Sequence, residues 1–376
     1  MKASDNLPAS KEGIFEDKDF RSYLDITESN HLSGKTFKNC DFSGMNLTGI
    51  NFNNSKFHNV NFSNSALDSA NLKDVVMVNC PIESASFTNS NMADSSMYNM
   101  NARGVDFNHA IMDGFSSTET IFEFANFESA SLVGAVFNTE FGVADSAKNG
   151  RDFFTDMRNI DFTDADLTDA VFGRARLDKS YFNGACLVGA NFFTCGLRVT
   201  RFNEAICIKM NIEDSNVLDG DFDDADCRSM TVSDSDLTCT TFNDAKFGKT
   251  KMVNTILANA DFDIKTNIKN CEFLNCDLQG VDLTGCDLTG TELRDSKLTG
   301  SFQNSTLDWC YFNSSNLDTA SVSHASARGA MFTDATLTET EFRHCDVTGA
   351  DFSGASAFNA DFTGTDLETA LHQPNI

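Results

Sequence analysis

One pattern constrains this chain more than any other: an apolar residue returns at every fifth position. From Phe37 the step runs through Phe42, Leu47, Phe52, Phe57 and Phe62 and keeps phase to Phe262. It moves forward by one residue at Ile268, runs to Leu298, moves back by one at Phe302 and ends at Leu367. Of 67 positions sampled in this way, 64 are apolar, the exceptions being Ser117, Gly142 and Asp152. With 41% apolar residues overall, chance leaves more than half of those positions polar. A helix repeats every 3.6 residues and a half-buried strand every two, so neither accounts for a period of five.

A coil that turns a corner once per repeat does account for it. Four repeats close one square turn, and the central Leu or Phe points inward on each side. Phe162, Leu167, Phe172, Phe182, Phe192, Phe222, Phe352 and Phe362 are the expected core ladder. The residue two before each centre is small, as in Ala125, Ala130 and Ala135, and shares the interior. Asp or Asn often stands just before the centre, as at Asp161, Asp166, Asp351 and Asp361. Gly recurs two after it, at Gly44, Gly49, Gly104, Gly134, Gly189 and Gly349, where a corner needs φ above zero. One turn cannot bury its own apolar side chains, so stability must come from stacking.

The unit small–Asp/Asn–Leu/Phe–polar–polar resembles the pentapeptide-repeat family over residues 37–367. The resemblance implies an all-β solenoid, a right-handed quadrilateral β-helix, here of about 16 coils with short caps at both ends. At about 4.8 Å per coil the expected length is on the order of 75 Å, comparable to roughly 22 base pairs of duplex DNA. The domain plan is a disordered start at 1–12, an N-terminal cap at 13–36, the repeat at 37–367 and a C-terminal cap or tail at 368–376. Ile14, Phe15, Phe20, Tyr23 and Leu24 supply apolar surface for the first cap. Asp366 is placed to cap a short helical turn in which Leu367 and Leu371 cover the last coil.

Two stretches break the pattern. Asp113 to Ile121 reads as irregular, with Phe115 off the core positions. Residues 138–156 hold Phe141, Phe153 and Phe154 out of register, and either project as an insertion or form a distorted turn that still stacks. The one-residue slips near 263–267 and 299–301 read as a bulge and its compensation.

A net charge of −27 argues against phosphate-contacting nucleic-acid binding and against an anionic membrane surface. No apolar run reaches the roughly 18–20 residues of a membrane span, and the start of the chain shows no apolar signal-peptide core. Ten of the 12 Cys fall at inward positions, which suits a reducing compartment; Cys186 and Cys239 fall outside. His58, His109, His324 and His344 fall outward, and only the last two are one coil apart. No nucleophile elbow, phosphate loop, dinucleotide fingerprint or HExxH is present, so no catalytic residue, metal or cofactor is assigned.

Charge is unevenly spread. Residues 271–376 sum to −12, whereas 151–270 sum to −6 and hold 14 of the 28 basic residues. Asp219, Asp221, Asp223, Asp224 and Asp226 are the densest acidic run. Some pentapeptide-repeat proteins act as acidic DNA mimics that bind type II topoisomerases, DNA gyrase especially, and protect them from quinolones or toxins; loops projecting from their coils matter for protection. By resemblance, the partner is DNA gyrase or topoisomerase IV. Phe141, Arg151, Phe153, Phe154 and the Asp219–Asp226 run are then the partner-binding candidates. The alternative is a rigid adaptor or a secreted bacterial effector that binds host or envelope proteins and is exported without a signal peptide. A third reading assigns the acidity to solubility and turn chemistry alone. The expected location is the bacterial cytoplasm, as a monomer or an end-to-end dimer.

Overall fold

The computed structural model describes residues 11–22, 32–138 and 155–375, and the chain forms two compact units, Met1–Gly196 and Leu197–Ile376. Each is a parallel β-solenoid with four sides per turn, and the only helical segments among the described residues are short 3-10 turns. In the first unit the four sides are traced by the pairings Thr36↔Lys56, Asp41↔Asn61, Asn46↔Ala66 and Asn51↔Asn71, each four repeats apart. One side has three-residue strands; among the described residues the other three are held by single bridges, apart from one pair of two-residue strands. Nine strand rungs lie in the first unit and four in the second. Coils built on true strands are thus fewer than the about 16 expected, because later turns, such as Glu272↔Glu292↔Tyr311↔Met331, are joined by bridges alone. No helix of the described residues is long and apolar enough to cross a membrane.

The inward register follows the five-residue step. Phe162, Leu167, Phe172, Phe182, Phe192, Phe222 and Phe352 are fully buried. Phenylalanines one coil apart stack, as with Phe172 on Phe192 at 4.8 Å, while neighbours within a coil meet edge to face. These are the arrangements aromatic pairs favour. Phe362 departs from the expectation: it is partly exposed, because it stacks on Phe342 at 5.2 Å but lies in the last coil.

Corners explain the outward residues. Outside the two slips and the last turn, the residue two after each centre sits in the left-handed region, at φ 70° for Gly44 and 55° for Asn59. Glycine carries no Cβ penalty there, and Asn and Asp tolerate it better than other residues. The residue before the centre fastens the same turn. Asp161 accepts from the Thr163 backbone N–H at 2.9 Å, and Asn61 accepts from the Ser63 N–H at 3.0 Å. Asp and Asn therefore serve the turn equally. The Asn side chains also stack: Asn99 Nδ2 donates to Asn79 Oδ1 at 2.7 Å, one coil away.

The segment around Ser117 is regular, contrary to the sequence reading. Ser117 pairs with Met97 and Phe137 and is 2% exposed, while Phe115 is fully buried in the slot usually given to a small residue. Large and small have exchanged places, so the interior volume is kept.

Residues 139–154, with Phe141, Arg151, Phe153 and Phe154, lie outside the described residues. Their flanks are informative. Val136–Asn138 pairs directly with Val171–Gly173, and Thr155–Asp156 with Ala175–Arg176. The turn from Val136 to Val171 is three repeats longer than a regular one, and one residue in the position of Glu119 (φ 53°) suffices to join Asn138 to Thr155 in a regular coil. Replacing 139–154 by a single glycine is expected to keep the fold and raise stability by on the order of 1–2 kcal/mol, through the smaller loop-closure entropy. Circular dichroism and thermal unfolding check this; loss of the cooperative transition would show that the segment belongs to the coil.

The slips resolve as a bulge and its compensation. The turn between paired positions lengthens by one residue at Lys246↔Asn267 and shortens by one at Asp282↔Ser301. Ile264, in the bulge, is 70% exposed. Asp263 holds the bulge by accepting from the N–H groups of Asp244, Lys265 and Thr266 at 2.9–3.1 Å. Gly300 makes the compensating short corner: an added Cβ would lie 2.1 Å from the Val281 carbonyl oxygen, so no side chain fits.

The ends are built partly as expected. Ile14–Glu16 pairs with Thr36–Lys38, and Phe15 and Phe20 stack on Phe37 and Phe42 at 5.1 and 4.2 Å, so the N-terminal cap is already a rung. Lys11 bonds to Ile14 in a tight turn, so the ordered chain starts before residue 13. Tyr23, Leu24 and residues 1–10 lie outside the described residues. Asp366 caps the turn Leu367–Thr369 as expected, but Leu371 is 66% exposed and covers nothing. Pro374 is the buried residue of the tail, held by bridges from His372 and Asn375 to Asp351 and Ser356.

Candidate partner-binding surface

The four-sided coil sorts outward residues by column, and the columns separate charge. In the second unit the side that runs through Arg201, Asp221, Thr241, Asp261 and Asp282 is the third, counted from the strand side. It carries ten carboxylates: Glu204, Asp221, Asp223, Asp224, Asp244, Asp261, Asp263, Asp282, Glu341 and Asp361. Against them stand Arg201, Lys265 and Arg343. The strand side has eight acidic and two basic residues, the second side five and two, and the fourth six and six. In the first unit the third side has five carboxylates and no basic residue, whereas the strand side from Thr36 to Thr194 has Glu119 against Lys38, Lys56 and Arg174.

The Asp219–Asp226 run is divided by this geometry. Asp221, Asp223 and Asp224 share the third side; Asp219 is at the preceding corner, with φ 56°; Asp226 is on the fourth side. Asp226 is bound by Arg228 at 2.6 Å, and that hydrogen bond lowers its pKa. Asp221 accepts from Asn203 Nδ2 at 2.7 Å and from the Asp223 N–H at 3.1 Å, and Asp223 accepts from the Asn243 N–H at 2.8 Å. In place of Asp219 and Asp226 the fold brings in Asp244, Asp261 and Asp263 from the next two coils. A linear scan for acidic runs misses them; stepping by whole coils finds them.

Two carboxylates of this side, Asp263 and Asp361, have their charged forms favoured by their neighbours. Burial works against the charge of Asp263, but its backbone donors and the Thr266 hydroxyl outweigh that and lower its pKa. Asp361 is lowered by Thr363 and then by Arg343, whose Nε lies 2.6 Å away. Asp244 pairs with Lys265 at 3.0 Å. Such exposed pairs contribute little stability.

The remaining polar candidates are placed as follows. His324 and His344 stack at 5.2 Å on one corner, and among the described residues no group of three His, Cys, Asp or Glu is arranged to hold a metal ion. Ten cysteines are buried, Cys186 is half-buried and Cys239 is exposed. Burial pushes the Cys195, Cys276 and Cys310 thiols up to about 12, which leaves them unreactive.

Comparison with known proteins defines the class. The sequence matches the family described as Pentapeptide repeat region over residues 31–107, and that described as Pentapeptide repeats (8 copies) over 103–138, 155–192, 264–300 and 337–371. The chain belongs to the pentapeptide-repeat family. Among solved structures it is similar to HetL, involved in heterocyst differentiation regulation in the cyanobacterium Nostoc sp. strain PCC 7120. The identity is 14%, coverage is 95% of each chain and the TM-score is 0.13. It is also similar to full-length QnrB1, a plasmid-mediated fluoroquinolone resistance protein, at 14% identity over 64% of this chain and 92% of that one, TM-score 0.21. A third is a pentapeptide-repeat protein of the Arabidopsis thaliana thylakoid lumen, at 20% identity over 29% and 66%, TM-score 0.12. No curated protein matches the sequence.

Proposed function

We propose that this protein is a non-enzymatic binding scaffold whose acidic third side occupies a DNA-binding groove of a type II topoisomerase, DNA gyrase or topoisomerase IV, and modulates or protects the enzyme. One observation carries the reading: within the second unit acidity gathers on two of the four sides, the third with ten carboxylates against three basic residues and the strand side with eight against two, while the fourth is balanced at six and six. Acidity that served turns or solubility alone has no reason to segregate by side. Asn makes the same corner bond as Asp, so the turn does not require the charge. A basic groove is the complement of such an array, and the long-range field speeds encounter. Duplex DNA itself is repelled, so the partner is a protein.

The proposed setting is the bacterial cytoplasm, where reduced thiols persist and the ten buried cysteines stay unpaired. The test is gyrase supercoiling with and without a quinolone, across a titration of this protein; the quinolone arm separates protection of the enzyme from plain inhibition. Rescue from the drug, or direct inhibition, is expected at micromolar protein. Absence of either at every concentration removes this reading.

A further inference from the structure

Corner positions are mostly Gly, Asn, Asp and Ser, and the largest side chain placed on one is that of Trp309. In the second unit the fourth-side corner column runs Lys209, Ser229, Lys249, Asn270, Gly290, Trp309, Gly329 and Gly349, all at positive φ, with Trp309 at 61°. A bulky residue is disfavoured in the left-handed region, and the turn imposes that region here as it does on Phe124 and Val199. Trp309 is the one Trp of the chain, and it is 64% exposed. Its ring lies over Gly329, where an added Cβ would meet it at 2.5 Å, so the neighbouring coil leaves room for the indole. Phe124, another bulky corner residue, differs in having the Arg103 guanidinium over its ring at 5.3 Å.

We propose that Trp309 is an anchor by which the second unit docks on a protein partner, its indole entering an apolar pocket with a basic rim. The inference rests on the reading above that this acidic protein binds a type II topoisomerase. Exposed Trp side chains are over-represented among the few residues that dominate interface energy. The surroundings set the chemistry of the rim. Residues 271–376 carry 16 acidic and four basic residues. The nearby cations are already engaged: Arg328 with Asp346 at 2.6 Å, Lys269 with Asp287 at 2.6 Å, and Arg294 over the Tyr311 ring at 4.9 Å. Asp308, which precedes the Trp in the chain, accepts from Ser326 Oγ at 2.6 Å and from the Arg328 N–H at 2.9 Å, so the same side carries a fixed carboxylate. A partner surface with an apolar slot among Lys and Arg fits this corner; an acidic one does not.

The fold and the proposed anchor make opposite demands on this residue, which makes the test sharp. Trp309→Gly and Trp309→Asn restore the residues that corners favour, so the midpoint of thermal unfolding is expected to hold or rise. Binding of purified DNA gyrase, measured by calorimetry, is expected to weaken roughly 30-fold, the scale of a hot-spot truncation. If both variants lower the unfolding midpoint, Trp309 is a structural cover for Gly329 and the inference falls. If they bind gyrase as the wild type does while third-side Asp→Asn variants lose binding, the inference falls and the functional reading stands. If the wild-type protein does not bind gyrase, the functional reading fails and takes this anchor with it.

Discussion

Phe222→Asp is expected to abolish the cooperative unfolding of the coils around it and to leave the second unit open to protease. Phe222 has no exposed surface, and its ring stacks on Phe202 at 4.5 Å and Phe242 at 5.4 Å. Removing the ring leaves a cavity that costs about 3–5 kcal/mol. The carboxylate that replaces it has no partner in the interior and adds several kcal/mol, on the order of what a buried unpaired charge costs. Coils contact only their neighbours, so disorder spreads to adjacent turns before it is contained. Far-UV circular dichroism with limited proteolysis checks this, and the outward neighbour supplies the control: Asp221→Asn keeps the fold. A native-like Phe222→Asp variant would refute the inward register of this side.

The second large effect concerns activity and not folding. Changing Asp221, Asp223, Asp224, Asp244, Asp261 and Asp263 together to Asn removes six of the ten carboxylates of the third side. The solenoid is expected to persist, because Asn supplies the same turn acceptor, as Asn61 does for Ser63. The ion pair of Asp244 with Lys265, lost in this variant, is exposed and contributes little. The effect on gyrase is expected to fall roughly 10- to 1000-fold through slower association, the range that charge steering supplies. For the wild type the same effect should weaken as ionic strength rises and the Debye length contracts. Full activity in the neutralised variant, with the fold intact by circular dichroism, would return the acidity to solubility alone.

How far each feature was legible depends on the distance over which its physics acts. The inward ladder was legible because burial recurs once per repeat, and a run from Phe37 to Leu367 leaves no other period to fit. The bulge at Asp263 and its compensation at Gly300 were legible as slips of phase. Phe115 and Ser117 were misread because their exchange keeps the volume of a coil while breaking its spelling, and volume is a property of the packed interior. Leu371 was misplaced because helical spacing says which residues share a face but not whether anything lies opposite that face.

The sequence by itself determined the class of fold, the residues that point inward and the turn chemistry of the corners, since each follows from interactions within a few residues of chain. Only the tertiary structure decided the surface. Stacking at four repeats per turn brings Asp221, Asp244 and Asp263 to one side and sends Asp226 to another, and the two slips cancel so that Asp282, Glu341 and Asp361 rejoin that side. It sets Trp309 over Gly329 in the same way. Charge acts across coils, between residues far apart in the chain, so the acidic side exists only once the coils are stacked.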